Sequence, residues 1–191
     1  HNPTAAERLS LLAVGGYGRG VLAPFSDLDL LFLRPWKPTP RSEQITEYML
    51  YVLWDLGLKV GHSSRSVDEM VRAAKDDLTI RTALLEGRFI WGDRDLYDQA
   101  SARFDAEVVA GNARAFVADK LAERDERHKR MGDSRYVVEP NVKEGKGGLR
   151  DLNTLFWIAK YSYRVDDPAE LVEAGLFDAR EFAMFQRSEE F

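Results

Sequence analysis

The sequence contains no cysteine, which removes disulfide scaffolds, thiolate zinc sites and cysteine nucleophiles together. It has no long hydrophobic run. The longest, near Leu28 to Leu33, falls far short of the roughly 20 residues that a membrane-spanning helix needs. Nothing in the first residues reads as a charged leader followed by an apolar stretch and a cleavage site, so cytoplasm is the expected compartment. A basic excess is also missing. The formal net charge is -5, with acids and bases interspersed, whereas a polyanion partner would call for a basic face. No basic stretch interleaved with aromatics offers a groove for a single strand. A template-directed polymerase is therefore disfavoured, and neither nucleic acid nor membrane is an expected partner.

What is present suffices for a core, with 45% hydrophobic and 11% aromatic residues over 191 positions. Both ends read as cut, since "HNPTAAERLS" enters a periodic pattern directly and "LFDAREFAMFQRSEEF" stops within one. A piece of a longer protein is expected. Leu9 to Val14 and Leu28 to Leu33 read as buried strands bounded by turn residues. The proline-rich "RPWKPTPRS" is a loop, and Ile45, Met49, Val52, Leu53 and Leu56 mark one face of a helix over Glu43 to Leu56, stopped by Gly57. Leu58 to Gly61 suggests a brief strand. Ser66 to Glu69 is a capping box that opens a helix to about Lys75. A helical turn then gives way to a strand near Leu85 to Ile90, closed by Gly92-Asp93. From Arg94 the chain becomes almost free of proline and helix-periodic, with a break at Gly111-Asn112. "VVEPNVKEGKGGLRD" reads as a loop and Leu149 to Tyr163 as a further helix.

The segment "LLAVGGYGRGVLAPFSDLDLLFL" sets four glycines among six positions, Gly15 to Gly20, and then places Asp27 and Asp29 at the start of an apolar run. In a strand these two carboxylates share a face with alpha carbons about 6.5 to 7 Å apart, so they can converge on one site. Like charges so placed need a cation between them, and divalent ions in phosphoryl and nucleotidyl transfer meet that need. Magnesium suits a sparse acidic site because water and substrate phosphates fill its remaining positions. Gly15 and Gly16 let backbone N–H groups approach a triphosphate, and a helix start after them would aim its positive end there. Arg19 is a candidate phosphate contact. The segment is neither a Walker loop nor a dinucleotide fingerprint, because the following Lys-Ser/Thr and the third-glycine spacing are absent. Alone, Asp-x-Asp is an exposed strand end and Gly-Gly a turn. Strand, Gly-Gly, turn, Asp-x-Asp and strand within so short a span make a specific constellation.

That constellation resembles the signature of the DNA polymerase beta-like nucleotidyltransferase superfamily, and "AVGGYGRG" with "SDLDLLFL" resembles the protein-PII uridylyltransferase family more narrowly. A second segment, "PNVKEGKGGLRDLNTLFWIAK" from Pro140 to Lys160, is similar to that family's downstream motif. The resemblance implies an α+β fold, with a small mixed β-sheet nucleotidyltransferase domain over residues 1–93 and a helical domain over 94–191 that helps enclose the nucleotide. It implies Asp27 and Asp29 as ligands of Mg²⁺, with Mn²⁺ as the alternative ion, and Gly15, Gly16 and Ser26 beside the triphosphate. Val21 and Phe25 depart from the family's usual glutamate and histidine.

The resemblance also implies a third carboxylate on a later strand, with Glu86 in "LLEGRFIWGD" the candidate for metal and catalytic duty and Asp77 and Asp93 its rivals. Lys143, Gly147, Gly148 and Arg150 are candidates for contact with phosphates or base, on a flexible loop able to close over nucleotide. His62 reads as structural and His128 as solvated. The implied reaction moves UMP from UTP to a tyrosine of a PII signal protein, the expected partner, with loss of pyrophosphate. Uridylyl removal in that family belongs to a domain with a His-Asp doublet, which this sequence lacks. A nucleotidyltransferase of other specificity, adenylylating a protein or small alcohol, and a degenerate nucleotide-binding module are the competing readings.

Overall fold

The computed structural model describes residues 7–22, 25–132, 141–165 and 169–189. Pro140, where the downstream motif starts, lies outside them, as does residue 1. The described chain forms two compact units, 1–110 and 111–191.

The first unit is built on a four-stranded mixed sheet. Strand β1 (Ser10–Ala13) leads into the helical turn α1 (Gly15–Arg19), and β2 (Leu28–Arg34) follows. Helix α2 (Pro40–Asp55) connects β2 to β3 (Val60–Ser66), and this crossover makes the two strands parallel. Helices α3 (Val67–Asp76) and α4 (Leu78–Leu85) precede β4 (Arg88–Gly92). The sheet order is β3-β2-β1-β4, with β1 antiparallel to both of its neighbours. Strand β2 therefore sits inside the sheet, and its apolar run is buried from Leu30 to Leu33. Leu30 and Phe32 meet Leu11 and the α2 residues Ile45, Met49, Leu50 and Leu53, while Leu31 and Leu33 point to the opposite face.

Local chemistry explains the helix starts. Thr39 caps α2 with Pro40 as its first residue, and Ser66 and Glu69 form the reciprocal capping box expected for α3. Strand β3 runs further than its sequence suggests. "VGHSSRS" has no apolar alternation, and its extended form rests on seven register pairs with β2, from Leu28–Val60 to Arg34–Ser66.

Helix α5 (Arg94–Phe104), started by the Asp93 cap, and a π-helical turn (Asp105–Val109) complete the first unit. A boundary after residue 93 would separate α5 from the sheet. Instead α5 packs on β1, β2 and β4 and buries Leu96, Ala100 and Phe104, so the division comes at Ala110 and Gly111.

The second unit comprises α6 (Ala113–Arg130), α7 (Leu149–Tyr163), α8 (Glu170–Glu173) and α9 (Ala179–Glu189). Phe116 of α6 stacks on Tyr161 of α7 with ring centroids 3.8 Å apart. Phe156, Ala159, Val165, Leu171 and Phe185 form its apolar cluster. Among the described residues no helix is long and apolar enough to cross a membrane.

Leu96 is fully buried on α5. Leu96→Ala is expected to lower unfolding free energy by about 2–5 kcal/mol, the range for emptying a packed leucine site. Denaturant unfolding followed at the sheet unit's Trp54 and Trp91 checks this.

Candidate active site

Strand pairing places the acids. The Val14 N–H donates to the Asp29 carbonyl at 3.0 Å, which sets the end of β1 beside the start of β2. Gly15 follows with φ 57°, in the left-handed region that glycine enters without strain. A side chain there would stand 3.4 Å from Asp29 Oδ2. On the other flank Gly61 is the register partner of Asp29 in β3. A Cβ on Gly61 would fall 2.5 Å from Asp29 Oδ1, inside contact distance. The Asp29 carboxylate thus lies between two glycines. Gly61 escapes a reading of the sequence, because it matters only once the β2–β3 register is known.

Asp27 precedes β2 and is exposed, as is Ser26. Phe25, one position earlier, is 95% exposed and has φ 66°. Partial burial pushes the Asp29 carboxyl above its usual range, and the neighbouring Asp27 charge pushes it further. Among the described residues neither aspartate forms an ion pair. A carboxylate repelled by a neighbouring one, with no ion-pair partner among the described residues, suits a divalent cation that draws its other ligands from water and phosphate.

Glu86 does not join them. It sits at the end of α4 with its side chain 2% exposed, and Arg19 Nη1 donates to its Oε1 at 2.6 Å. Among the described residues no three His, Asp or Glu side chains gather to hold a metal ion. The rivals are also engaged elsewhere. Asp77 caps α4 by accepting from the Ile80 N–H at 2.9 Å. Asp93 caps α5 and pairs with Arg8, which holds its carboxyl below the usual range. Arg19 is likewise tied. Moving it onto a phosphate would strand a buried carboxylate, a penalty of about 3–5 kcal/mol. Gly16 lies beside this pair, since a Cβ there would be 3.8 Å from Arg19 Nη2.

Lys143, Gly147, Gly148 and Arg150 belong to the second unit. Lys143 is exposed. Arg150 donates to Glu144 at 3.2 Å and lies 5.9 Å from the centroid of the Trp157 ring. Gly148 precedes α7 as its cap, and a Cβ on it would fall 2.4 Å from the Val142 carbonyl. The Gly147 N–H donates to Asp151 Oδ2 at 2.7 Å. Asp151 also accepts from Arg127 at 2.5 Å and lies 2.9 Å from His128 Nε2. These contacts hold its carboxyl below the usual range against the opposing effect of burial. His128 is therefore buried against Asp151, not solvated on a charged helix. His62 lies in β3, edge-on to Trp54 at 6.2 Å.

Two outcomes follow from the Asp29 cradle. Gly61→Ala is expected to keep the fold, because the crowding atom ends a movable side chain, yet displace the Asp29 carboxylate. Circular dichroism should be unchanged while Mg²⁺ affinity, read by titration in the presence of UTP, falls about tenfold or more. Asp29→Asn tests the charge. Because folding raises the Asp29 pKa above 3.8, stability tied to its proton is present below that pH and lost as pH rises through the folded value. Without metal, Asp29→Asn should therefore melt higher than the parent at pH 7, and the gain should shrink as pH approaches 3.8.

Comparison with known proteins adds the lineage. The family described as GlnD PII-uridylyltransferase matches residues 115–191. A bifunctional uridylyltransferase/uridylyl-removing enzyme of Novosphingobium aromaticivorans is 66% identical over 190 residues, covering 100% of this chain and 21% of the relative. Enzymes of the same name from a Bradyrhizobium species and from Azospirillum brasilense are 64% and 60% identical, each over 20% of its own length. A toxin–antitoxin crystal structure with AMP-PNP aligns with 66% of this chain and 86% of its own at 16% identity, with a TM-score of 0.34, too slight a likeness to bear on the fold. The chain spans about a fifth of the length of the curated relatives it matches, and over its whole length it is similar to bifunctional uridylyltransferase/uridylyl-removing enzymes.

Proposed function

We propose that this chain supplies the nucleotidyltransferase site of such an enzyme and directs UMP from UTP to a tyrosine hydroxyl of a PII protein. The observation that carries this reading is the Asp29 carboxylate, set between Gly15 and Gly61 beside Asp27 with no ion-pair partner among the described residues. The family match supports the uridylyl specificity and the PII acceptor. Mg²⁺ held by Asp27 and Asp29, with Mn²⁺ as the alternative, would supply positive charge to the phosphates.

The chain's own residues do the rest by placement. A cation between Asp27 and Asp29 would offset the repulsion that the Asp27 charge exerts on the Asp29 carboxylate. The glycines keep side chains away from the carboxylate, which leaves room for a polyphosphate. Glu86, closed in its pair with Arg19, takes no metal. In the transfer the acceptor oxygen bonds to the α-phosphorus as the bond to the bridging β-phosphate oxygen breaks. Pyrophosphate leaves with that electron pair, and the hydroxyl proton passes to solvent. Loss of the UMP group is the relatives' second named activity, and no group in this reading serves it.

Calorimetric titration of the four nucleoside triphosphates, with and without Mg²⁺, tests the proposal. UTP is expected to bind only with the metal, and Asp27→Asn or Asp29→Asn should weaken it at least tenfold, about 1.4 kcal/mol. Equal binding of all four would favour a nucleotidyltransferase of other specificity. Metal-independent binding, or binding untouched by both substitutions, would overturn the site.

A further inference from the structure

Three contacts join the segment Glu86-Gly87-Arg88 to the glycine turn. The Glu86 carboxylate accepts from Arg19 at 2.6 Å, with only 2% of the Glu86 side chain exposed. The Glu86 carbonyl packs so closely on Gly18 that a Cβ there would fall 2.0 Å from its oxygen. The Arg88 guanidinium donates to the carbonyls of Gly18 at 3.2 Å and Tyr17 at 3.1 Å and lies 5.5 Å from the Tyr17 ring centroid. The clamp is itself anchored. Arg88 is the register partner of Ala13 at the end of β1, and Tyr97 of α5 donates to the Gly87 carbonyl at 3.3 Å.

The geometry of the turn gives these contacts a consequence. Only Val14 separates Ala13 from Gly15, and Gly15 forms one wall beside Asp29. The turn is a single short helical turn whose own bonds include Gly18 N–H to Val14 and Gly20 N–H to Tyr17. So short a helix has little intrinsic stability and depends on contacts from elsewhere in the fold. Glu86 and Arg88 supply them from opposite ends of a three-residue segment, one acting on a side chain and the other on backbone carbonyls.

We infer that Glu86 and Arg88 are positioning residues that hold the glycine turn against Asp29, and that neither touches metal or nucleotide. This inference rests on the reading of Asp27 and Asp29 as the nucleotide-metal site. It assigns to Glu86 a role distinct from that of a third metal ligand, and it brings in Arg88, whose two carbonyl bonds only Arg can make in this forked geometry.

The test uses this chain with Glu86→Gln, Arg88→Gln and Arg88→Lys, titrating UTP at saturating Mg²⁺ and then Mg²⁺ at fixed UTP. Arg88→Gln and Glu86→Gln are each expected to weaken UTP about tenfold, with the Mg²⁺ half-saturation unchanged and Arg88→Lys between parent and Arg88→Gln. Amide hydrogen exchange keeps the result readable if a variant binds poorly for want of folding. In Arg88→Gln the Gly18 and Gly20 amides should exchange about tenfold faster while those of α2 keep their protection. A higher Mg²⁺ requirement in Glu86→Gln alone would make Glu86 a metal ligand and overturn the inference. Parent-like UTP affinity and exchange in both Gln variants would also overturn it. Asp29→Asn separates the two readings. If it spares UTP binding, the site assignment fails; if it abolishes binding while the clamp variants match the parent, only the clamp fails.

Discussion

The close approach of Gly18 to the Glu86 carbonyl is the constraint on which the first unit's arrangement depends. With a Cβ the two segments would have to part, since that atom would fall 2.0 Å from a backbone oxygen that cannot swing aside. Because Gly18 has none, the turn after β1 rests directly on the junction between α4 and β4. Strand β4 then pairs with β1 through Ala13 and Arg88, and the same short stretch brings Gly15 to the side of Asp29. Backbone packing thus sets how closely the turn approaches the acidic site, and the Glu86 and Arg88 side chains hold it there. Such packing tolerates little adjustment, because protein interiors are dense and each displaced atom must find new room.

Two acids within this small region show opposite solutions to one electrostatic problem. Glu86 is buried and closed by Arg19, so its charge is spent on holding structure. Asp29 is raised by partial burial and by Asp27, so its charge is costly in the protein alone. Loss of one partner from the first pair leaves a buried ion unsatisfied, which destabilises. Addition of a cation to the second removes a repulsion, which stabilises. The same chemical group is therefore paired in one place and unpaired in the other among the described residues, and what separates them is whether a guanidinium lies within reach.

That distinction explains which parts of the molecule were legible in the sequence. Strands β1 and β2, the body of α2, the capping box of α3 and both ends of α7 follow from apolar spacing and end chemistry, which act within a few residues. The two aspartates were legible for the same reason, since their spacing in a strand is local. Glu86 was not, because "LLEGR" looks alike whether the acid faces a metal or an arginine 67 positions away. Gly61 and Arg88 carry no local signal at all. His128 is surrounded by charged neighbours in the sequence, and its burial comes from Asp151, 23 positions further on. The length of β3 was hidden too, because a polar strand declares itself only through its pairing with β2.

The downstream glycines illustrate how far the same residue type differs in use. A glycine-rich entrance to α7 suggests a loose flap, yet the segment is folded on itself. Gly145 N–H bonds to the Asn141 carbonyl at 2.8 Å, Leu149 N–H to Val142 at 2.9 Å and Arg150 N–H to Lys143 at 3.0 Å. The Gly147 N–H is held by Asp151. Asp151 in turn binds Arg127 and His128 of α6, so the turn is tied to two helices at once. In the first unit glycine leaves room around a carboxylate; here it lets a carboxylate reach the backbone and lock it. Motion of this segment would therefore have to carry α6 and α7 with it, because freeing the turn alone would break the Gly147 N–H bond to Asp151 and the backbone bonds that shape it.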